Sequence, residues 1–297
     1  MRIQSIGIFA NPNNEGALAA VSSVYGVARN RGIKCFIDRS FSNMEEFSGY
    51  ETIQEQVPGL MIAIGGDGTI LHAAGYAAEH DIPILGINFG RIGFLSEIDV
   101  EGISDALDAI ESEQYRTDKC MMLSCSVNGC AAKDCLNEAV LYRKKFSGVV
   151  SITVNVNGID AGTVSCDGLI VATPTGSTGY SISAGGPVIA PNTDVVIINP
   201  ICPHTLAFRP IIAPGDSIIE LSIKQEGFLG MDGVSTERIV PGDMVRICRS
   251  RRSVRFIRLG DRNLIHSYEI SFPDKYVFIF READNREYTI YKRKNHS

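Results

Sequence analysis

The chain is 297 residues long, carries a net charge of −6 and has a pI near 5.5. Its 44% hydrophobic and 21% charged residues are typical of a globular protein, and the length is sufficient for two domains with separate cores. The acidic balance argues against nucleic acid or an anionic membrane as a partner, and no apolar run forms a secretory signal or approaches the roughly 18 residues of a membrane helix.

The first 115 residues alternate strand and helix patterns. Uninterrupted apolar runs predict buried strands, and apolar residues at helical spacing predict helices between them. The predicted strands are 3–9, 33–37, 60–64 and 82–87, and the predicted helices begin near Leu18, Thr69 and Ile103. Because a strand–helix–strand crossover of this length is right-handed and joins parallel strands, we predict an α/β N-terminal domain with a Rossmann-like parallel sheet.

After residue 116 the pattern changes to alternating strands joined by tight turns. Asn128-Gly129 and Asn157-Gly158 are hairpin turn sequences. Pro-Gly-Asp occurs at 214–216 and again at 241–243, each time before an alternating strand. We therefore predict a mainly β C-terminal domain. The predicted division is 1–116 for the α/β domain, 117–260 for the β domain and 261–297 for a C-terminal tail that could return to the first domain.

Eight cysteines raise the question of a metal site. Four of them recur every five residues, at Cys120, Cys125, Cys130 and Cys135. No C-x-x-C pair is present, and an odd spacing along a strand places alternate side chains on opposite faces. We therefore expect free buried thiols, in a protein of the reducing cytoplasm.

A glycine-rich segment, Gly65-Gly66-Asp67-Gly68-Thr69, follows the third predicted strand. Glycines at a strand-to-helix turn let the backbone approach a ligand closely, and the N-terminus of the following helix favours phosphate. The segment is neither a Walker A loop nor a G-x-G-x-x-G fingerprint. A carboxylate beside phosphate is unfavourable unless it binds a metal or accepts a proton from an attacking hydroxyl. We therefore interpret Asp67 as functional rather than as part of a plain turn.

This loop resembles the one shared by NAD kinases, diacylglycerol and sphingosine kinases and, with serine at its end, phosphofructokinases. Three further segments narrow the resemblance to the NAD kinase family. They are residues 86–95, the pair Asn137-Glu138, and residues 167–187 with Asp167-Gly168, Thr173 to Ser181 and Gly185-Gly186-Pro187. Since the segments follow one another in the family's order and approximate spacing, the combination is highly specific.

The resemblance implies an enzyme that transfers the terminal phosphate of ATP, or of a related donor, to the 2′-hydroxyl of the adenosine ribose of NAD. It implies that Asp67 is the catalytic residue and that the protein is a homodimer or homotetramer. Mg²⁺ is the expected divalent metal, and the resemblance leaves its protein ligands open. The expected binding residues are Gly66, Gly68, Thr69, Phe94, Asn137, Glu138, Asp167, Thr175, Ser177, Thr178, Gly179, Tyr180 and Ser183.

The chemistry of these residues suits a dinucleotide. Asn137 can donate to and accept from an adenine edge, and Glu138 can accept from ribose hydroxyls. Asp167 is expected at the nicotinamide ribose, and the resemblance implicates Ser183 near the nicotinamide half. By themselves, the Asn137-Glu138 pair and the Ser/Thr/Gly-rich segment would be interpreted as a hairpin edge and an ordinary loop.

Two features depart from the family pattern. The family commonly has alanine at the position of Gly179, and it often ends in a helix that returns to the first domain. Here residues 276–280 and 288–291 predict two strands instead.

Two other functions remain open at this point. A lipid kinase of the same superfamily would favour an apolar or basic surface that faces a membrane, and the acidic composition gives no sign of one. A non-catalytic NAD(P) sensor would not need an acid beside the acceptor hydroxyl, so Asp67 argues against it. A coupled assay for NADP formation with ATP and Mg²⁺ separates the three functions.

Overall fold

The computed structural model describes residues 3–41, 44–47, 49–53, 56–88, 93–145, 148–205, 207–233, 235–260, 278–281 and 288–291. Within these ranges the strands form an 11-stranded sheet, a six-stranded sheet and a two-stranded hairpin. Among the helices of the same ranges, none has a stretch that is both long enough and apolar enough to cross a membrane.

The elements alternate between helix and strand in the first half and are mostly strands in the second. The helices are α1 Glu15–Asn30, α2 Asp67–Glu79, α3 Ile103–Glu111 and α4 Tyr180–Ser183, with 3-10 turns η1 Arg39–Phe41, η2 Glu45–Phe47 and η3 Thr175–Thr178. The strands are β1 Ser5–Ala10, β2 Lys34–Ile37, β3 Leu60–Ile64, β4 Pro83–Asn88, β5 Ile98–Asp99, β6 Arg116–Val127, β7 Lys133–Cys135, β8 Glu138–Arg143, β9 Val150–Val156, β10 Ile159–Cys166, β11 Gly168–Ala172, β12 Val195–Ile201, β13 Ile211–Pro214, β14 Ile219–Ile223, β15 Gly227–Met231, β16 Ser235–Ile239, β17 Met244–Arg258, β18 Phe278–Arg281 and β19 Tyr288–Tyr291.

The N-terminal half is a parallel sheet with helices on both faces. Its strands lie in the order β4-β3-β1-β2 and are all parallel. In β3, Leu60, Ile62 and Ile64 belong to the core with α1 and α3, whereas Met61 and Ala63 belong to the core with α2. Successive side chains of a strand point to opposite faces, so a strand covered on both sides is apolar throughout. The predicted Rossmann-like α/β domain is confirmed.

The strand order reverses between β1 and β3. From β1 the chain passes through α1 to β2 on one side, and from β3 it passes through α2 to β4 on the other. Ala10 and Ile64 pair at the carboxyl ends of the two central strands. Ligands of open α/β sheets bind in the crevice beyond the carboxyl ends of the strands at such a switch point. The glycine-rich segment that starts at Gly65 therefore lies where this architecture places a ligand.

The C-terminal half is a β-sandwich. The six-stranded sheet has the order β13-β12-β11-β8-β15-β16, and its inner face packs on β6, β9, β14 and β17 of the larger sheet. Alternate residues form the shared core, for example Leu169 of β11 and Ile152 of β9. The predicted Asn157-Gly158 turn joins β9 to β10 with both residues at positive φ, +53° and +81°, as a type I′ turn requires. The predicted mainly β domain is confirmed.

Strand β17 joins the two halves. Most of it pairs with β6 and β14, and Arg255 and Phe256 near its end pair with Pro83 and Ile84 of β4. Phe256 is buried in the core that covers α2. One sheet thus runs through both halves, and the division into 1–116, 117–260 and 261–297 remains a prediction.

The tail contains the two predicted strands. Residues 278–281 of β18 pair antiparallel with residues 288–291 of β19. The remaining parts of the tail, 261–277, 282–287 and 292–297, lie outside the described residues.

The four evenly spaced cysteines do not share one environment. Cys120, Cys125 and Cys135 are buried, whereas Cys130 is exposed. The prediction of buried thiols is therefore wrong for Cys130, because the Asn128-Gly129 turn with φ of +51° and +74° places it in a surface hairpin between β6 and β7. It is also wrong for the exposed Cys202, whereas Cys35 and Cys248 are half-buried.

Candidate active site

Asp67 is the first residue of α2 and directly follows the turn at the switch point. Gly65 has a φ of +149°, and a Cβ there would lie 2.6 Å from the Thr69 hydroxyl oxygen, so only glycine fits. Gly66 is extended, with φ −77° and ψ 177°. The chain therefore changes from strand to helix within Gly65 and Gly66, and the N-terminal end of α2 points into the crevice.

The Asp67 carboxylate is held by the loop that follows β4. Its Oδ2 accepts from the Phe94 amide and its Oδ1 from the Leu95 amide, both at 3.1 Å. Gly93 lies so close that any Cβ on it would overlap the carboxylate. The half-buried carboxylate therefore has a fixed direction, and Phe94 contacts it through the backbone. Residues 89–92 of the predicted second loop lie outside the described residues.

Gly66 and Gly68 are exposed and border open space. A Cβ on either would meet no atom of the described residues within 4 Å. The Thr69 amide, by contrast, donates to the Gly66 carbonyl at 2.9 Å as part of the first helical turn. Amides at a helix N-terminus bind anions well. The amides of Gly66 and Gly68 can thus hold phosphate oxygens, whereas the Thr69 amide is already bonded.

Asn137 and Glu138 lie at the start of β8, beside α2. The preceding residue, Leu136, is buried in the same core as Ile70 of α2. A cavity of about 230 Å³ is lined jointly by Leu71 of α2 and by Leu136. The tertiary structure therefore packs the residue that leads into the Asn137-Glu138 pair against the helix that begins with Asp67.

Both side chains retain buried polar atoms. Asn137 Oδ1 and Glu138 Oε2 have no hydrogen-bond partner within the part of the chain that the structure describes. Burial and the charge of Asp232 raise the pKa of Glu138 to about 7, although the nearby Tyr180 backbone partly opposes them. Buried polar atoms in proteins are nearly always paired. The two oxygens therefore indicate a ligand that donates hydrogen bonds to them.

Two of the hydroxyl groups expected at the nucleotide are bonded within their own loop. The Ser177 hydroxyl donates to the Ile189 carbonyl at 3.2 Å and accepts from the Ile189 amide at 3.0 Å. The Thr178 hydroxyl donates to the Thr175 carbonyl at 3.2 Å. To contact a nucleotide directly, these hydroxyls would have to share or break those hydrogen bonds.

Gly179 and Tyr180 border Glu138. A Cβ on Gly179 would lie 3.3 Å from Glu138 Oε2, so alanine would fit here only with a small shift. Tyr180 is 46% exposed, and its backbone lies near the Glu138 carboxyl group. Thr175 is buried, beside the thiol of Cys120. The loop thus forms one wall of the space in front of the two unpaired oxygens.

Helix α4 folds back over the outer face of β11. Asn199 of β12 pairs with Ile170 in the middle of β11, and its side-chain amide donates to the Ser181 carbonyl at 2.9 Å. Ser183, the last residue of α4, is exposed. The candidate site therefore extends from Glu138 along the outer face of the six-stranded sheet.

Asp167 lies at the other end of β11 from Glu138. Ala172 at the end of β11 pairs with Glu138, and Asp167 directly precedes this five-residue strand. Strand geometry therefore separates Asp167 from Glu138 by roughly 17 Å. The Asp167 carboxylate forms an ion pair with Arg143 at 3.0 Å. The fold thus does not bring Asp167 close to Glu138.

Both halves of the chain match family models. Residues 6–115 match the ATP-NAD kinase N-terminal domain, and residues 136–259 match the ATP-NAD kinase C-terminal domain. An NAD kinase of Geotalea daltonii is 33% identical over 266 residues, which cover 86% of this chain and 93% of the relative. An NAD kinase of Magnetococcus marinus is 41% identical over 211 residues, which cover 69% of this chain and 70% of the relative. The chain belongs to the ATP-NAD kinase family.

Solved structures have the same fold as this member of the ATP-NAD kinase family. Yeast NADH kinase complexed with NADH has a TM-score of 0.83 at 23% identity and covers 93% of this chain and 90% of that chain. An NAD kinase from Archaeoglobus fulgidus in complex with ATP has a TM-score of 0.72 at 23% identity and covers 90% of this chain and 98% of that chain. The predicted NAD kinase activity, with NAD and ATP as substrates, is confirmed by the family membership.

Two residues of this NAD kinase family site could not be found from the sequence. Asp232 contacts the backbone of residues 136–138 from the turn after β15. Arg258 at the end of β17 bonds Glu97 Oε2 at 3.2 Å, behind the loop that holds Asp67. Asp-Gly between two alternating strands is a hairpin signal, and an arginine in a strand is ordinarily a surface residue. Neither sequence context indicates a contribution to the site.

Proposed function

We propose that the adenosine half of NAD binds between α2 and β8, where Asp67 orients or deprotonates the 2′-hydroxyl of its ribose. Asn137 binds the adenine edge and Glu138 accepts from ribose hydroxyls. Phosphoryl transfer depends on positioning and charge neutralisation more than on covalent chemistry. The Asp67 carboxylate suits this task, because two backbone amides fix its direction and each oxygen keeps a second lone pair.

The observation that carries the proposal is the pair of unpaired oxygens beside α2. Asn137 Oδ1 and Glu138 Oε2 are buried acceptors without a donor among the described residues. A ribose and an adenine amino group supply hydroxyl and N–H donors of the required kind. Leu136, the residue directly before this pair, packs in the same core as Ile70 of α2, which supports an acceptor hydroxyl between the pair and Asp67.

The rest of NAD extends along the outer face of β11 in this proposal. The loop residues Thr175, Ser177, Thr178, Gly179 and Tyr180 border the adenosine and the phosphates. Phe94 contributes the wall on the side of Asp67, Ser183 lies near the nicotinamide half, and Asp167 binds the nicotinamide ribose. The separation of Asp167 from Glu138 by the length of β11 supports an extended dinucleotide rather than a folded one.

ATP delivers its phosphates to the open end of α2, where the amides of Gly66 and Gly68 and the hydroxyl of Thr69 surround them. Among the described residues no group of three or more His, Cys, Asp or Glu side chains could hold a metal. Mg²⁺ is commonly held by one or two carboxylates together with substrate phosphates. The residues therefore fit a Mg²⁺ ion that arrives with ATP and is held through the donor phosphates, with its protein ligands left open. Such an ion would neutralise charge on the donor phosphates.

The substitution Asp67→Asn tests the catalytic assignment. We expect NADP formation with ATP and Mg²⁺ to fall about 10²- to 10⁴-fold, the usual contribution of a general base, because the amide cannot accept the proton. NAD binding, measured by isothermal titration calorimetry, should change little. Asp99→Asn is a matched control, because Asp99 also accepts a backbone amide near a helix start, that of Gly102. Turnover near the wild-type rate in purified Asp67→Asn protein would refute the assignment.

We also propose a homodimer or homotetramer in the cytoplasm, assembled through the C-terminal β domain. Ile159 and Ile212 are 72% and 51% exposed on the edge strands β10 and β13, and exposed apolar edges favour association. Cys130 and Cys202 are exposed free thiols, which suits a reducing compartment. Sedimentation velocity at micromolar concentration measures the mass, and a monomer there would contradict the assembly. Subcellular fractionation tests the compartment.

A further inference from the structure

Asp232 lies in the tight turn after β15, and its carboxylate receives three successive backbone amides. Oδ2 accepts from Leu136 at 2.7 Å, and Oδ1 accepts from Asn137 at 2.8 Å and from Glu138 at 3.1 Å. The Asp232 amide donates back to the Glu138 carbonyl at 3.1 Å. One side chain thus accepts from all three backbone amides of residues 136–138, while Thr173 donates to the carbonyls of Leu136 and Asn137.

These three amides belong to the crossing between two strands. β7 ends at Cys135 and pairs with β6, whereas β8 starts at Glu138 and pairs with β11 and β15. The amides of Leu136 and Asn137 therefore lie outside both ladders. Buried backbone amides need an acceptor, and a carboxylate is a stronger acceptor than a neutral group. The Asp232 carboxylate supplies it and fixes the direction in which the following side chains leave the backbone.

We propose that Asp232 is a positioning residue for NAD: its carboxylate fixes the backbone of residues 136–138 and thereby orients the side chains of Asn137 and Glu138 toward the dinucleotide. The proposal rests on the NAD-binding roles proposed above for those two residues. Asp232 itself does not contact NAD in this arrangement, since both of its oxygens face the backbone amides.

The charge of Asp232 gives this role a second measurable effect. Among the described residues, Glu138 on β8, His72 on α2 and Cys135 on β7 interact electrostatically with it, and Lys133 and Asp134 on β7 line the same cavity. After burial, the Asp232 charge is the main cause that raises the pKa of Glu138. An uncharged residue at position 232 should therefore lower the pKa of Glu138, so that the ionised acceptor persists to lower pH.

The test is Asp232→Asn, assayed for NADP formation over a range of pH. An amide accepts more weakly and has one acceptor oxygen instead of two, so we expect the KM for NAD to rise about tenfold to a hundredfold with kcat little changed. The acid limb of kcat/KM for NAD should move to lower pH, which loss of general stability would not cause. Asp243→Asn is the matched control, because Asp243 also caps a hairpin turn, accepting from the Val240 amide at 2.8 Å.

Hydrogen exchange separates the positioning role of Asp232 from the NAD-binding roles of Asn137 and Glu138. In the wild-type protein without ligand, the amides of residues 136–138 should be protected, and in Asp232→Asn they should exchange faster. Faster exchange with an unchanged KM for NAD would support the positioning and contradict the NAD-binding roles of Asn137 and Glu138. Rapid exchange of these amides in the wild-type protein, or equal exchange in both proteins, would overturn the positioning.

A second variant covers the case in which Asp232→Asn does not fold. Asp232→Glu keeps the charge but moves the carboxylate by one methylene group. We expect a raised KM for NAD with an unshifted acid limb, because the charge near Glu138 is retained. A wild-type KM for NAD in Asp232→Glu would overturn the proposal.

Discussion

Glu138 is 8% exposed, yet it carries an ionisable carboxyl group next to a second carboxylate. Its pKa is about 7 in the folded chain, against an ordinary value of 4.5. Because the folded-state pKa is raised, the proton stabilises the folded protein fully below pH 4.5, and this stability is lost as the pH rises through about 7. Ionisation of Glu138 therefore makes the ligand-free enzyme less stable as the pH rises. The same residue is suited to binding a ligand.

Glu138→Gln should remove this pH dependence. The amide has nearly the same shape and no charge, so we expect the variant to gain stability relative to the wild type between pH 5 and pH 8, by at most about 3 kcal/mol. Urea unfolding at both pH values measures the difference. The KM for NAD should rise, because the amide nitrogen cannot accept a hydrogen bond. Parallel pH profiles of stability for the two proteins would contradict the raised pKa of Glu138.

At the scale of elements, the end of β17 supports the loop that holds Asp67. The buried Arg258 donates to Asp118 Oδ2 at 3.0 Å, to Glu97 Oε2 at 3.2 Å and to the Leu95 carbonyl at 3.4 Å. The Leu95 amide in turn donates to Asp67 Oδ1. A strand from the C-terminal half thus fixes the backbone that orients the carboxylate at the switch point.

Arg258→Met should destabilise the protein and slow the reaction. Removing one partner of a buried ion pair leaves Glu97 uncompensated, which typically costs about 3–5 kcal/mol. Arg255→Met is the control on the same strand, because its pair with Asp81 is largely exposed and should contribute at most about 1 kcal/mol. Urea unfolding and kcat are measured for both variants. Equal effects of the two substitutions would show that Arg258 does not support the Asp67 loop.

At the scale of the whole molecule, the two halves share a sheet and a core. The face of the N-terminal sheet that carries α2 is covered by residues of the second half, including Met122, Leu136, Val254 and Phe256. The proposed boundary near residue 116 therefore separates two folding patterns rather than two independent cores.

A fragment of residues 1–116 should for this reason not fold alone. It would expose the apolar side chains around α2 that Met122 and Phe256 cover in the complete chain. A fragment of residues 1–260 retains β17 and should fold. Circular dichroism and urea unfolding compare the two fragments. A cooperative transition of the shorter one would show that the first half has a sufficient core of its own.

Local signals predicted most of the elements of both halves. The buried strand at 60–64 and the Asn157-Gly158 hairpin are found where apolar runs and turn residues predicted them. Asp67 and the Asn137-Glu138 pair were predicted as site residues because their residue types and their neighbours along the chain resemble one family. Cys130 was predicted wrongly, because spacing alone does not show which cysteine falls in a turn.

The sequence by itself determined the two folding classes, the family and the position of the carboxylate directly after the third strand, since hydrophobic periodicity, turn residues and motifs are local properties. Only the tertiary structure decided that Asp232 accepts a hydrogen bond from the amide of Asn137, 95 residues away in the sequence. It likewise decided that Arg258 donates to Glu97, 161 residues away. It also decided that the Ser177 and Thr178 hydroxyls are bonded within their loop and that Asp167 lies at the far end of β11. These facts depend on which side chains and backbone groups come into contact in the folded chain, and hydrophobic periodicity and motifs do not encode those contacts.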